Sequence, residues 1–166
     1  FKEINYLTHS EFKELNERMS LLNQQPEVLR EKKKGDYLVE NRMYVNAVRI
    51  YENALQKEDK EGLGEQFNGG IYHNMGCAYL NLFQFQEAAD CFWKAYELLH
   101  TKQVYRHYLT ASYMRNPQEF PQICRKMEVE AEEQEEIIRN LEQSAKKARK
   151  VSGEDTDGLL EQFIRD

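Results

Sequence analysis

Apolar positions recur at steps of three and four along most of this chain, the spacing of helices with one buried face. Between about Ser10 and Gln24, the residues Phe12, Leu15, Met19 and Leu22 fall on one helical face. Thr8 followed by Glu11 predicts a capping box at the start of that helix. Asn23-Gln24-Gln25-Pro26 ends it, and Pro26 suits the first turn of the next helix. From Pro121 to about Val151 the pattern predicts one long helix, with Ile123, Met127, Ala131, Gln134, Ile138, Leu141, Ala145 and Ala148 on its inner face. Its early part is acidic, Glu128 through Glu136, and its end is basic, Lys146 through Lys150. That order complements the helix dipole at the C-terminus. Ser152 to Gly158 reads as a linker, and Leu159 to Arg165 as a short apolar helix.

The middle of the chain repeats itself. Gly35, Tyr44, Ala47, Tyr51 and Ala54 form one series, and Gly76, Phe85, Ala88, Phe92 and Ala95 form another, each member 41 residues beyond its counterpart. Five positions sharing one offset define an internal repeat. Each copy reads as a helix with a glycine on its inner face, a short turn, and a second helix carrying small and aromatic residues. The small residue lets the two helices approach closely, and the aromatic fills the space beside it. Hairpins of this kind bury a face only by stacking on a neighbour.

These residues resemble the tetratricopeptide repeat, whose pattern of about 34 residues runs W-x2-L-G-x2-Y, then Ala, an aromatic and Ala. In the second copy Tyr72 stands at the Trp position, Met75 at the Leu, Gly76 at the Gly and Tyr79 at the Tyr, followed by Phe85, Ala88, Phe92 and Ala95. The first copy departs at Glu31, Lys34 and Leu38 but keeps Gly35, Tyr44, Ala47, Tyr51 and Ala54. A third copy starts near Gln103, with Leu109, Thr110 and Tyr113 at the Leu, Gly and Tyr positions; Asn116-Pro117 and Pro121 then interrupt it. The seven surplus residues of the 41-residue offset fall between Lys60 and Gly70, as a longer loop or as extra helical turns followed by a glycine break.

The expected fold is therefore all-α, a right-handed superhelix of tetratricopeptide-like hairpins with a long C-terminal helix. Repeats at about 28–61, 69–102 and a degenerate 103–136 make one domain over 1–151, with a leading helix at 10–24 and a trailing helix at 121–151. Residues 152–166 form the linker and short apolar helix.

The resemblance implies a groove lined by the first helix of each repeat. It places Lys32, Lys33 and Asp36 from the first copy, His73, Asn74 and Cys77 from the second, and His107 and Tyr108 from the third on that surface. Such a groove holds an extended peptide, with Asn74 bonding its backbone and the lysines receiving an acidic group. One subclass of the family grips the carboxylate of chaperone tails with five residues. Lys32 and Asn74 match two of those positions, whereas Asp36, Val104 and Tyr108 replace the required Asn, Lys and Arg, so the clamp is incomplete.

His73 and Cys77 also stand four apart on one helix, which is metal-ligand spacing, with His107 at the position equivalent to His73 in the next repeat. Zinc usually takes four ligands, or three and a water, so a metal or enzymatic site there is a remote alternative. No metal or cofactor is expected on this pattern. The chain holds no phosphate loop, GxSxG or HExxH motif, and no catalytic residue is assigned.

Composition narrows the picture further. Of 166 residues, 23 are basic and 29 acidic, a net charge of −6 that argues against nucleic acid as a partner. Seven Val, seven Ile and four Thr are few for a sheet protein. No apolar run is long enough to span a membrane. Three cysteines without CxxC spacing suit a reduced, cytoplasmic setting. The functional expectation is a non-catalytic adaptor that binds a protein or peptide, possessing acidic groups in one version of the reading. The alternative is a structural module whose long C-terminal helix pairs antiparallel in a homodimer, acidic half against basic half.

Overall fold

The computed structural model is helical as expected, with no strand among the described residues, which are 8–23, 26–61 and 63–151. The side chains of 19–23, 58–61 and 148–151 are not described, among them Met19 and Leu22 of the leading helix's expected face. The linker and short apolar helix expected over 152–166 also lie outside the described residues. The leading helix, α1, covers His9–Asn23. Its capping box forms: the Thr8 amide donates to Glu11 Oε2 at 3.1 Å, and the Glu11 amide donates to Thr8 Oγ1 at 3.2 Å. Its expected buried face does not form in the part described, since Phe12 and Leu15 both remain exposed.

Two hairpins follow, α2 (Glu27–Glu40) with α3 (Tyr44–Glu61), then α4 (Glu65–Asn81) with α5 (Phe85–Leu99). The 41-residue offset persists in their turns. Arg42 and Phe83 both take a left-handed backbone, each with φ 60°. The Met43 amide reaches back to the Leu38 carbonyl at 2.8 Å, and the Gln84 amide to the Tyr79 carbonyl at 3.0 Å. This closure, from an amide to a carbonyl five residues earlier, satisfies carbonyls that a helix end otherwise leaves orphaned. The surplus residues extend the helices rather than a loop. The second helix of the first hairpin has 18 residues against 15 in the second, and α4 begins at Glu65. Gly64, with φ 103°, makes the break between them, a conformation that only glycine adopts without strain.

The repeated glycines meet the repeated aromatics. A methyl group added at Gly35 would lie 2.5 Å from the Tyr51 ring, and one at Gly76 would lie 2.7 Å from the Phe92 ring. Both rings are fully buried, as are Ala47, Ala54, Ala88 and Ala95. Each helix from α2 onward packs on its successor as far as α6 (Lys102–Arg115), and α4 also reaches back to α2.

The long C-terminal helix expected over 121–151 is two helices, α7 (Phe120–Lys126) and α8 (Ala131–Val151), and both pack on α6. The break repeats the hairpin closure. Glu128 takes a left-handed backbone with φ 56°, and the Val129 amide donates to the Cys124 carbonyl at 2.9 Å. Val129 is buried behind the turn with Leu109, Phe120, Cys124, Ile137 and Leu141. An apolar residue just past such a closure commonly packs back on the helix it ends. The three-and-four spacing runs through this turn without interruption and no glycine marks it, which is why the sequence reads as continuous.

Candidate functional site

The first helices of the repeats, α2, α4 and α6, bring six of the eight expected groove residues into two touching clusters. The first centres on Asp36. Its Oδ1 accepts from the Tyr51 hydroxyl at 2.5 Å and from Asn74 Nδ2 at 2.8 Å, while its Oδ2 accepts from Lys32 Nζ at 2.8 Å. One carboxylate thereby joins α2, α3 and α4. Burial, reinforced by the Asp36 carboxylate, drives the Tyr51 hydroxyl well above the ordinary phenol range. The lysine that the sequence assigns to an acidic ligand is neutralised within the chain.

The second cluster lies between α4 and α6. His73 Nε2 and His107 Nδ1 are 2.8 Å apart, and the two rings lie within 11° of parallel, with centroids at 5.0 Å. The centroids are farther apart than the nitrogens by about twice the radius of an imidazole ring, so the rings meet edge to edge rather than face to face. They share one hydrogen bond, in which one ring donates and the other accepts. Phe92 leans on both, at 5.7 Å from His73 and 5.5 Å from His107. The Cys77 thiol joins them, and the ligand atoms of all three residues lie within 4.8 Å of one another. Burial lowers the His73 pKa below its ordinary value, with the Asn74 side chain acting in the opposite direction and Lys32 adding to the fall. Burial also pushes the Cys77 thiol up to about 12. A protonated thiol of this kind is a poor nucleophile.

Lys33 and Tyr108 take no part in the polar contacts that define the two clusters, although Tyr108 packs against the apolar group that includes Cys77 and Phe92. Lys33 is exposed on α2. Tyr108 packs against Trp93 of α5, with ring centroids 5.1 Å apart. The two rings form one wall of an open cleft of about 330 Å³, completed by Ile123 and Met127 and rimmed by Arg115, Glu119, Gln122 and Lys126. Arg115 is paired with Glu119 at 3.2 Å.

Sequence reasoning missed Tyr51 as a polar partner and Phe92 as a wall, because both count as core aromatics in the repeat pattern. The signal was present in a comparison of the copies. Asp36 and Cys77 are equivalent positions, as are Tyr51 and Phe92. A hydroxyl stands in the copy that has a carboxylate to receive it, and a plain ring stands in the other.

Comparison of the chain with family models, with curated proteins and with solved structures finds no match in any of the three. No helix among the described residues is long and apolar enough to cross a membrane.

Proposed function

We propose that this chain is a non-catalytic protein-binding module of the tetratricopeptide type, working in a reduced, cytoplasmic setting. The observation that carries the reading is the cleft walled by Trp93 and Tyr108. It joins the second hairpin to the helices that follow, and it offers aromatic and thioether surface beside the amino group of Lys126. Trp93 keeps 40% of its surface exposed. Exposed tryptophan and tyrosine at the centre of a patch supply most of the affinity at many interfaces. The occupant that suits this surface is a peptide with an apolar side chain for the cleft and an acidic residue for Lys126. Compared with the expected groove, the binding surface moves from the Asp36 and His73 clusters, whose polar atoms bond within the chain, to the Tyr108 side of α6.

The chain has a single tryptophan, so its fluorescence reports on the cleft directly. Peptides selected from a random display library are titrated against the protein. Saturable change in Trp93 emission, abolished by Tyr108→Ala and weakened by Lys126→Glu, supports the reading. Selected peptides that leave the emission unchanged and bind the Tyr108→Ala variant equally well would refute it.

The dimer alternative loses ground to a specific observation. Arg106 of α6 lies 3.1 Å from Glu136 and 3.9 Å from Glu133, and the Tyr105 hydroxyl donates to Glu133 at 3.1 Å. Part of the acidic half that an antiparallel pair would use is thus bonded to α6 of the same chain.

A further inference from the structure

We propose that His73, Cys77 and His107 form a binding site for a zinc-class divalent ion that clamps α4 to α6. This inference stands apart from the peptide reading above and uses no residue of the Trp93 cleft. His73 and Cys77 lie one turn apart on one face of α4, and stacking of the third repeat brings His107 to them from 34 residues away. The three ligand atoms already fall within 4.8 Å of one another. Tetrahedral zinc, with bonds of about 2.0–2.1 Å to nitrogen and 2.3 Å to sulfur, sets its ligand atoms roughly 3.3–3.6 Å apart. The cluster therefore needs adjustments on the order of 1 Å. The proton held between the two rings moves to the far nitrogen of its own ring, the Cys77 thiol releases its proton to solvent, and each facing nitrogen then offers a lone pair to an ion seated to one side of the line between them.

The surroundings suit a metal in three respects. Cys77 and His107 are only 8% and 6% exposed, and the Phe92 ring covers both imidazoles, which keeps the ligands dry and fixed. His73 is half-buried, leaving a path by which an ion and a fourth, water ligand enter. Asn74 is anchored through its Nδ2 on Asp36, which leaves its amide oxygen to orient the neighbouring His73 ring. Groups that hold the non-ligating nitrogen of a histidine commonly fix its tautomer in metal sites. The nearby positive charge of Lys32, which would oppose a cation, is compensated by Asp36 at 2.8 Å. Two imidazoles and a thiolate with no carboxylate select zinc-like ions over magnesium or calcium.

Cobalt(II) serves as the coloured probe. Titrating metal-free protein with Co²⁺ under reducing conditions is expected to give a thiolate-to-cobalt band in the near ultraviolet and strong visible bands of tetrahedral cobalt, saturating at one equivalent. One equivalent of Zn²⁺ bleaches them, and Mg²⁺ does not. Zn²⁺ at about a hundred times its Kd raises the unfolding midpoint by roughly 5–10 °C. Cys77→Ser removes the near-ultraviolet band. Absence of these bands at stoichiometric Co²⁺, or their persistence in Cys77→Ser, overturns the proposal. Should that variant not fold, zinc-edge X-ray absorption of the unaltered protein decides: one sulfur and two imidazoles support the site, and a first shell without sulfur overturns it.

Discussion

Gly76→Ala tests the packing on which both clusters rest. The new methyl carbon would lie 2.7, 2.8 and 3.1 Å from three carbons of the Phe92 ring. The ring has no room to yield, since it is fully buried and lies against both His73 and His107. Overpacking of a tight core costs about 1–3 kcal/mol, and three close contacts on a fixed ring put this case near the upper end. Alanine returns about 1 kcal/mol through its better helix propensity. The expected net loss is about 2 kcal/mol, or a fall of roughly 4–8 °C in the unfolding midpoint for a chain of this size.

The assay is urea and thermal unfolding followed by circular dichroism, for Gly76→Ala, Phe92→Leu and the pair. Phe92→Leu removes the ring edge that the methyl strikes, so the double variant should be more stable than the two losses added together, by about 1 kcal/mol or more. Gly70→Ala is the internal control. Its nearest neighbour is the end of the Lys32 side chain at 3.4 Å, which can move aside, so this change should stabilise by up to about 1 kcal/mol. If Gly76→Ala matched Gly70→Ala, or if the double variant were additive, the reasoning from close helix approach would be wrong.

Three further expectations rest on other parts of the structure. Tyr51→Phe keeps the ring but deletes the donor to Asp36, which retains Asn74 and Lys32; a loss of about 1–2 kcal/mol is expected in urea unfolding, and an unchanged midpoint would show the bond to be idle. Burial pushes the Cys91 thiol up to about 12 and the Cys124 thiol up to about 11. The unfolded chain then loses these thiol protons from about pH 9 while the native chain keeps them, so the unfolded state binds fewer protons and stability falls as pH rises from 9 toward 11; unfolding midpoints at pH 8 and 10 check this, and the slope should flatten in a Cys91→Ser, Cys124→Ser variant. Finally, Ile137→Ala should cost about 2–4 kcal/mol by opening the core beneath α8, whereas Gln143→Ala combined with Lys146→Ala should leave thermal unfolding almost unchanged, because both side chains are exposed; equal effects would mean that this face of the helix also packs.

Helices and their pairing were legible because they depend on local spacing and on one repeated steric device. Gly35 with Tyr51 and Gly76 with Phe92 stand at a common separation, and in both cases the ring occupies the volume a side chain would need. Two features were not legible, for physical reasons, and a third was legible but unused. The break at Glu128 is closed by backbone hydrogen bonds and the burial of Val129, and neither disturbs the apolar spacing. The exposure of Phe12 and Leu15 depends on whether a neighbour exists to cover them, which one helix's own pattern cannot say. The bonding of Lys32 to Asp36 one turn away was available from spacing alone, yet the groove expectation treated both as ligand contacts.

The candidate site is best understood as columns across the stack rather than as motifs along the chain. Lys32, His73 and His107 occupy one equivalent position in three successive first helices, and Asp36, Cys77 and Ala111 occupy the position one turn on. Stacking sets the members of each column on neighbouring helices, with His73 and His107 in contact at 2.8 Å, so its chemistry is decided by which residues are neighbours between copies. A lysine with an aspartate below it gives a closed ion pair on α2. A histidine with a cysteine below it, set beside a histidine with only an alanine, gives two imidazoles and a thiol whose ligand atoms lie within 4.8 Å of one another between α4 and α6. The same scaffold thus carries a satisfied electrostatic knot at one step and an ion-sized donor set at the next. The Gly76 and Phe92 contact sits directly behind the latter. A change there that loosens the core should therefore also weaken metal binding, whereas Gly35→Ala should disturb the Asp36 knot through Tyr51 and leave the histidines in place.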